Sequence, residues 1–278
     1  MNTTIAILSD IHGNYTALSS IIRDIEQSNI DETWFLGDLI MPGPGGDDLF
    51  DLLDEVNTTV FLRGNWDDCY FEVMDGALDF NDPSDVYVGT LVQYVHDHLS
   101  KKNVNRLKTA PISTTKEVNG LSIQLTHNLP NINYGPELIA GADTPAFEAL
   151  FENQQTDIAI YGHIHHQVLR YSAADQMVVN PGSVGEPYFS HEKLGKDRRA
   201  QYAILTIDDA GIAEINFKKI SYDIPKEVKR AKSANLPYSD LYQESIETGN
   251  SRVRDAALLT QLKQEHDYVN GLKKFLAN

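Results

Sequence analysis

Five short segments constrain what this chain can fold into, because each lies where a run of β-forming residues stops. They are Asp10-Ile11-His12-Gly13, Gly37-Asp38, Gly64-Asn65-Trp66-Asp67, Thr126-His127-Asn128 and Gly162-His163-Ile164-His165. Residues 3–9 alternate β-formers into the first segment, and residues 33–36, 58–62 and 157–161 run into the second, third and fifth. Residues 111–126 read as a hairpin turned at Asn119-Gly120, with His127 at the end of its second strand. Helical spacing fills the gaps: Asn14 is placed to cap a helix bearing Leu18, Ile21, Ile22 and Ile25, and Leu49, Leu52 and Leu53 follow the second segment. A β-motif-α-β-motif-α-β order predicts an α/β fold with a buried sheet, and it sets the motifs at strand ends, where such sheets bind ligands.

The rest of the chain fits that frame. Val88, Leu91, Val92, Val95 and Leu99 share one face of a helix over 86–99, and Thr144-Pro145 is placed to start a helix reaching Glu152. Strands are expected at 167–171, 177–179, 202–207 and 212–217. After about residue 222 the sequence becomes charged and helix-forming and carries no ligand motif; Leu259, Leu262, Val269, Leu272 and Leu276 fit one helical face. The reading is a domain over 1–221 that holds every motif, with a helical C-terminal extension over 222–278.

Together the five segments offer two carboxylates (Asp10, Asp38), one amide oxygen (Asn65) and four imidazoles (His12, His127, His163, His165). That is enough to hold two divalent metal ions about a shared bridge. Such a pair activates water at neutral pH and clamps a phosphoryl group. Each segment alone is weak, since a Gly-Asp turn or a single histidine has ordinary structural uses; their order and completeness carry the inference. Mixed oxygen and imidazole donors suit manganese, iron or zinc better than magnesium or calcium.

Composition narrows the substrate. The 278 residues carry a formal net charge of −17, which repels long nucleic acids because these are bound by neutralising many phosphates. Metal ions would restore a local positive field, so a small phosphorylated molecule is the expected partner. No apolar run approaches the roughly 18 to 20 residues that span a membrane. The first residues lack a secretory pattern, and the single cysteine, Cys69, fits a reducing compartment, so a cytoplasmic location is expected.

With these motifs in place, the chain resembles the calcineurin-like metallophosphoesterases. Within them it is most similar to a bacterial group related to diadenosine tetraphosphatases and small phosphodiesterases. The likeness rests on Asp10-Ile11-His12-Gly13-Asn14, on Met41-Pro42-Gly43-Pro44-Gly45, on Asn180-Pro181-Gly182-Ser183-Val184-Gly185, and on a tail opening Tyr222-Asp223-Ile224. The resemblance implies a two-sheet sandwich flanked by helices. It also implies one metal held by Asp10, His12 and His165, a second by Asn65, His127 and His163, and Asp38 bridging both.

One position departs from the pattern. Where the family usually carries a histidine after the asparagine, near the leaving group, this chain has Trp66. Lacking that acid hurts poor leaving groups most, which points to phosphoanhydrides and diesters with stable leaving groups, dinucleoside polyphosphates among them. Trp66 serves either as a wall or as a face for a nucleobase. His166 is a candidate replacement acid, and Arg199, in a basic cluster with Lys193, Lys196 and Arg198, is a candidate phosphate contact. The alternatives are a protein Ser/Thr phosphatase and a metal-binding scaffold without turnover.

Overall fold

The computed structural model describes residues 2–151 and 155–277. Its centre is two five-stranded sheets packed face to face. The first contains β1 (Thr3–Leu8), β2 (Glu32–Phe35), β3 (Thr58–Phe61), β9 (Ala200–Ile207) and β10 (Ala213–Ile220), in the order β10-β9-β1-β2-β3. The second contains β4 (Ser113–Val118), β5 (Leu121–Thr126), β6 (Ile158–Tyr161), β7 (Gln167–Tyr171) and β8 (Met177–Pro181), in the order β4-β5-β6-β8-β7. In each sheet three neighbouring strands are parallel, β1-β2-β3 and β5-β6-β8, and antiparallel strands complete the edges.

Side-chain alternation explains the layering. Ile5 and Ile7 of β1, with Trp34, Leu36, Val60 and Leu62, face Ile123, Leu125, Ile158, Ile160 and Val179 of the opposite sheet, forming one apolar interior. The intervening Ala6, Leu8 and Phe35 turn outward, under α1 (Tyr15–Glu26) and α2 (Asp47–Glu55). Central strands are therefore apolar on both faces, as parallel strands covered by helices must be. Asn14 caps α1 by accepting the Ala17 N–H at 3.0 Å. The hairpin turns at Asn119 and Gly120, both at positive φ. The helix begun at Thr144 is shorter than its sequence suggests. It ends at Phe147, and a single 3-10 turn over Glu148–Leu150 follows; Glu152 lies outside the described residues.

Helices α3 (Asn65–Met74), α4 (Pro83–His96) and α5 (Lys101–Thr109) contribute to the main apolar cluster, and the C-terminal extension packs on α4 and α1. That extension is four helices: α7 (Ile224–Ser233), α8 (Ser239–Thr248), α9 (Ala256–Glu265) and α10 (Tyr268–Leu276), with α6 the short Thr144–Phe147 turn. Leu259 and Leu272, expected on one helix, lie on two, because Asp267 takes a left-handed conformation and breaks the segment. Both leucines are nevertheless fully buried. Ala231, Leu236, Tyr242, Ile246 and Leu259 join the same apolar cluster as Leu8 and Leu18. Buried Glu227 of α7 accepts the Thr16 backbone N–H at 3.0 Å, and the Thr16 and Tyr242 hydroxyls also donate to it. The extension thus shares the core of the domain. Among the described residues no helix is long and apolar enough to cross a membrane.

Candidate metal centre

The loops that leave the C-terminal ends of β1, β2, β3, β5 and β6 meet at one end of the sandwich, and they bring all seven expected ligands together. Asp10, His12, Asp38 and His165 each offer a donor atom within 4.8 Å of the others, and so do Asp38, His127 and His163. Asp38 belongs to both groups. Its Oδ2 lies 3.6 Å from His12 Nε2 and 3.4 Å from His127 Nε2, between the two sets. Asn65 Oδ1 completes the second set, 3.1 Å from His127 Nε2 and 2.8 Å from His163 Nδ1.

The tautomers of the imidazoles are fixed from behind. His12, His127 and His165 donate their Nδ1–H groups to the carbonyls of Met41, Leu36 and Glu186 at 2.8, 2.8 and 2.7 Å. Their Nε2 lone pairs must then point into the centre. His163 is reversed: Nε2 donates to the Gly135 carbonyl at 3.0 Å, leaving Nδ1 to face inward. Backbone partners of this kind orient metal-binding histidines and raise their basicity. The result is a cluster of acceptors facing acceptors, with His12 Nε2 only 2.9 Å from His165 Nε2. Lone pairs at that separation repel unless a proton or a metal ion satisfies them, so the donor set fits bound metal.

Proton binding shows the same demand for positive charge. Burial opposes protonation of His127, but Asp38 and then Asp10 pull it up to about 9. Burial likewise opposes protonation of His165, and Asp10, with help from Glu186, raises it to about 9. His163, penalised by burial and by the neighbouring His127 charge, falls to about 4. Burial resists ionisation of Asp10 and Asp38, yet the facing histidines hold both carboxyls below the usual carboxylate range.

The backbone is strained to achieve this. Asp10, His12, Asp38, His163 and His165 have φ of 57, 53, 57, 67 and 55°, a region non-glycine residues visit at a cost of about 1–3 kcal/mol each. Hydrogen bonds over-determine the loops: Ile11 and His12 N–H donate to the Asp38 carbonyl at 2.8 and 3.0 Å, and Gly185 N–H and Ser183 Oγ donate to the Asp10 carbonyl at 2.9 and 2.8 Å. The Asn180–Gly185 stretch is therefore a brace for the ligand loops. Gly64 is required by close approach, since a Cβ there would sit 2.1 Å from Asp38 Oδ1.

Asp67, within the third motif but given no role from sequence, organises this region. Its carboxylate accepts the N–H groups of Asp38, Leu39, Ile40 and Gly64 at 3.0, 3.0, 3.3 and 3.0 Å. Burial and the Asp38 charge push it up to about 7, against the pull of those donors. Only its burial could have flagged it, and burial is not visible in a polar residue's name.

Trp66 lies where the sequence departs from the family. Its N–H donates to Asp38 Oδ1 at 2.8 Å, and its ring meets His12 edge-on with centroids 5.8 Å apart. The indole forms one wall of a cleft of about 310 Å³, shared with His163, His165, Glu186, Arg198 and Arg254. Two expected residues are not in it. His166 lies in the bend just before β7, outside the cleft lining, and packs on Phe189 with ring centroids 4.6 Å apart, so it is not placed to serve as the acid. Arg199 is exposed and spends its guanidinium on Asp197, with both bonds at 2.8 Å, so it is not placed for a substrate phosphate. Its neighbour Arg198 is the buried one, donating to the carbonyls of Pro187, Ser245 and Ile246. Cys69 is pushed up to about 12 by burial and surrounding acids, and stays an unreactive thiol.

A two-sheet sandwich with a histidine-carboxylate centre at the strand ends defines a metallophosphoesterase fold. Residues 3–210 match the calcineurin-like phosphoesterase superfamily domain, and the chain belongs to that superfamily of metal-dependent phosphoesterases. The uncharacterized protein MJ0912 of Methanocaldococcus jannaschii is 24% identical over 257 residues, which cover 85% of this chain and 95% of that one. Two solved structures share the fold. The hypothetical protein PH1004 of Pyrococcus horikoshii has a TM-score of 0.70 at 19% identity, covering 90% of this chain and 99% of its own. A metallophosphoesterase of Sphaerobacter thermophilus has a TM-score of 0.66 at 20% identity, covering 89% and 100%.

Proposed function

We propose that this protein is a dinuclear-metal hydrolase of phosphodiesters or phosphoanhydrides, and that its substrates are dinucleoside polyphosphates or related nucleotides. The observation that carries the reading is the position of Asp38 Oδ2, between His12 and His127 and common to both ligand groups. Asp10, His12 and His165 would hold one ion, Asn65, His127 and His163 the other, and Asp38 both. Bound there, two ions of manganese, iron or zinc would lower the pKa of a water and neutralise charge on the phosphoryl oxygens.

The protein's own groups do the rest. Backbone carbonyls keep the imidazoles aimed, and Asp67 keeps the Asp38 loop in register. Trp66 occupies the place beside Asn65 where an imidazole would protonate the departing oxygen, and His166 faces Phe189 instead. With no acid in that position, substrates whose departing oxygen is already stable are favoured, which argues against the protein Ser/Thr phosphatase reading. The −17 charge favours a small phosphorylated substrate over a long nucleic acid. The test is a panel on metal-reconstituted protein: diadenosine tetraphosphate and aryl diesters should be cleaved far faster than phosphoserine. Faster cleavage of phosphoserine would refute the proposal.

A further inference from the structure

The cleft beside the metal centre is closed on one side by the loop between α8 and α9, from the C-terminal extension. This loop is held at several points. Gly249 ends α8 with its N–H on the Ser245 carbonyl at 2.8 Å. Arg252 is paired with Glu244, both Nε and Nη2 bonding its carboxylate at 2.8–3.1 Å. Val253 packs into the main apolar cluster, and its carbonyl accepts from Ser84 Oγ at 3.2 Å. Asp255 caps α9 by accepting the Leu258 N–H at 3.1 Å.

Between these anchors stands Arg254, which lines the same cleft as His163, His165 and Trp66. It is exposed, and among the described residues its guanidinium has no hydrogen-bond or ion-pair partner. That is unusual in a chain with 40 Asp and Glu against 23 Lys and Arg. The other arginines are engaged: Arg63 with Asp68, Arg106 with Asp54, Arg230 with Asp48, and Arg23, Arg170 and Arg198 with carbonyls or hydroxyls. Glu186, the acid lining the cleft, accepts from Ser245 Oγ at 2.8 Å. Arg254 also lines an adjoining hollow of about 630 Å³ with the exposed ring of Tyr188, so there is room for a ligand that extends beyond the metal site.

We propose that Arg254 binds a second phosphate of the substrate, distal to the phosphoryl group at the metal centre, and so selects substrates that carry a phosphate chain. A guanidinium fork on a fixed loop suits a phosphate oxygen pair better than a flexible ammonium. The inference rests on the phosphodiester and phosphoanhydride reading above, and it adds a specificity role for the C-terminal extension.

The test separates the two. Full-length manganese-loaded protein is titrated calorimetrically with methylphosphonate and methylenediphosphonate, which carry one and two phosphoryl groups and resist hydrolysis. Arg254→Ala should weaken the diphosphonate about tenfold or more while changing the monophosphonate far less, and Arg254→Lys should fall between. In turnover, the same variant should lose at least about ten times more efficiency, mainly through KM, on diadenosine tetraphosphate than on bis(4-nitrophenyl) phosphate. Equal effects on both probes, or none, would overturn the role of Arg254 while leaving the hydrolase reading intact. Selective diphosphonate binding through Arg254 in a protein that cleaves no phosphoester would refute the hydrolase reading and leave the anion site standing.

Discussion

The floor of the cleft is made by residues between Asp10 and His165, buried or half-buried, with all four histidines braced from behind, whereas its rim comes from residues 186–254, where Tyr188 and Arg254 stand in solvent. On the floor, five ligands hold left-handed backbone conformations that only a dense set of hydrogen bonds can impose. At the rim, the side chains of Arg252, Val253 and Asp255 anchor a loop that leaves Arg254 exposed in the cleft. The contrast separates two tasks. The floor must not move, because a displaced donor loses an ion. The rim, which holds none of the seven donors, can change without disturbing them.

The sharpest way to break this comparison is at the shared carboxylate. Asp38→Asn keeps shape but removes the charge common to both ligand groups, and it should abolish nearly all metal binding and activity while the protein stays folded. Metal analysis and circular dichroism on the same sample would check it, and wild-type turnover in that variant would sink the two-ion reading. One layer back, Asp67→Asn would turn an amide N–H₂ toward at least one of four backbone N–H donors. A supporting residue of this type is worth roughly 10- to 100-fold in metal affinity or activity. Kinetics after saturation with metal would show whether Asp67 acts by holding the ions or only by holding the fold.

How much of this contrast could be read from sequence follows the same division. The floor was legible because metal donors come from a short menu of residue types, and because strand, motif and helix alternate in a recognisable order. Even Trp66 announced itself as a departure. The rim was not legible. Arg199 was the expected phosphate contact, but Asp197 two residues earlier claims it, and which of two adjacent arginines turns inward depends on where α8 ends. His166 was expected in the cleft, but the left-handed backbone at His165 sets the bend ahead of β7 and His166 packs on Phe189 instead, which no residue pattern announces. Arg254 carries no motif at all, and its position exists only through the docking of the extension.

A smaller effect sharpens the electrostatic side. In metal-free protein His127 and His165 are raised to about 9 from an ordinary 6.5. A raised folded-state value gives stability that is full below 6.5 and disappears as pH rises through 9. His163, at about 4, and Asp67, at about 7, have released their protons before the upper part of that window and add little slope there. Metal-free protein should therefore melt several degrees lower at about pH 9 than at about pH 7.5. Added manganese should reduce the difference, because the ions compete with those two protons. A melting temperature that is flat across the window without metal would mean the histidines are not charged partners of Asp10 and Asp38.

The smallest and most discriminating effect belongs to Trp66, where floor and rim meet. Its backbone N–H serves Asp38, so that contact survives any side-chain change, and only the indole is under test. If the ring stacks on a base, Trp66→Ala should raise KM for diadenosine tetraphosphate about fivefold to a hundredfold, the range expected for losing about 1–3 kcal/mol of stacking. A simple aryl diester, with no base to stack, should change much less. Trp66→His addresses the other role, by returning an imidazole to the place where the departing oxygen is protonated. It should improve esters with poor leaving groups selectively and flatten the dependence of rate on leaving-group pKa, which should be steep in the wild type. Should the wild type already show a flat dependence, a proton donor is present elsewhere in the cleft. Glu186 is then the group to replace, since it lines the same space beside Trp66.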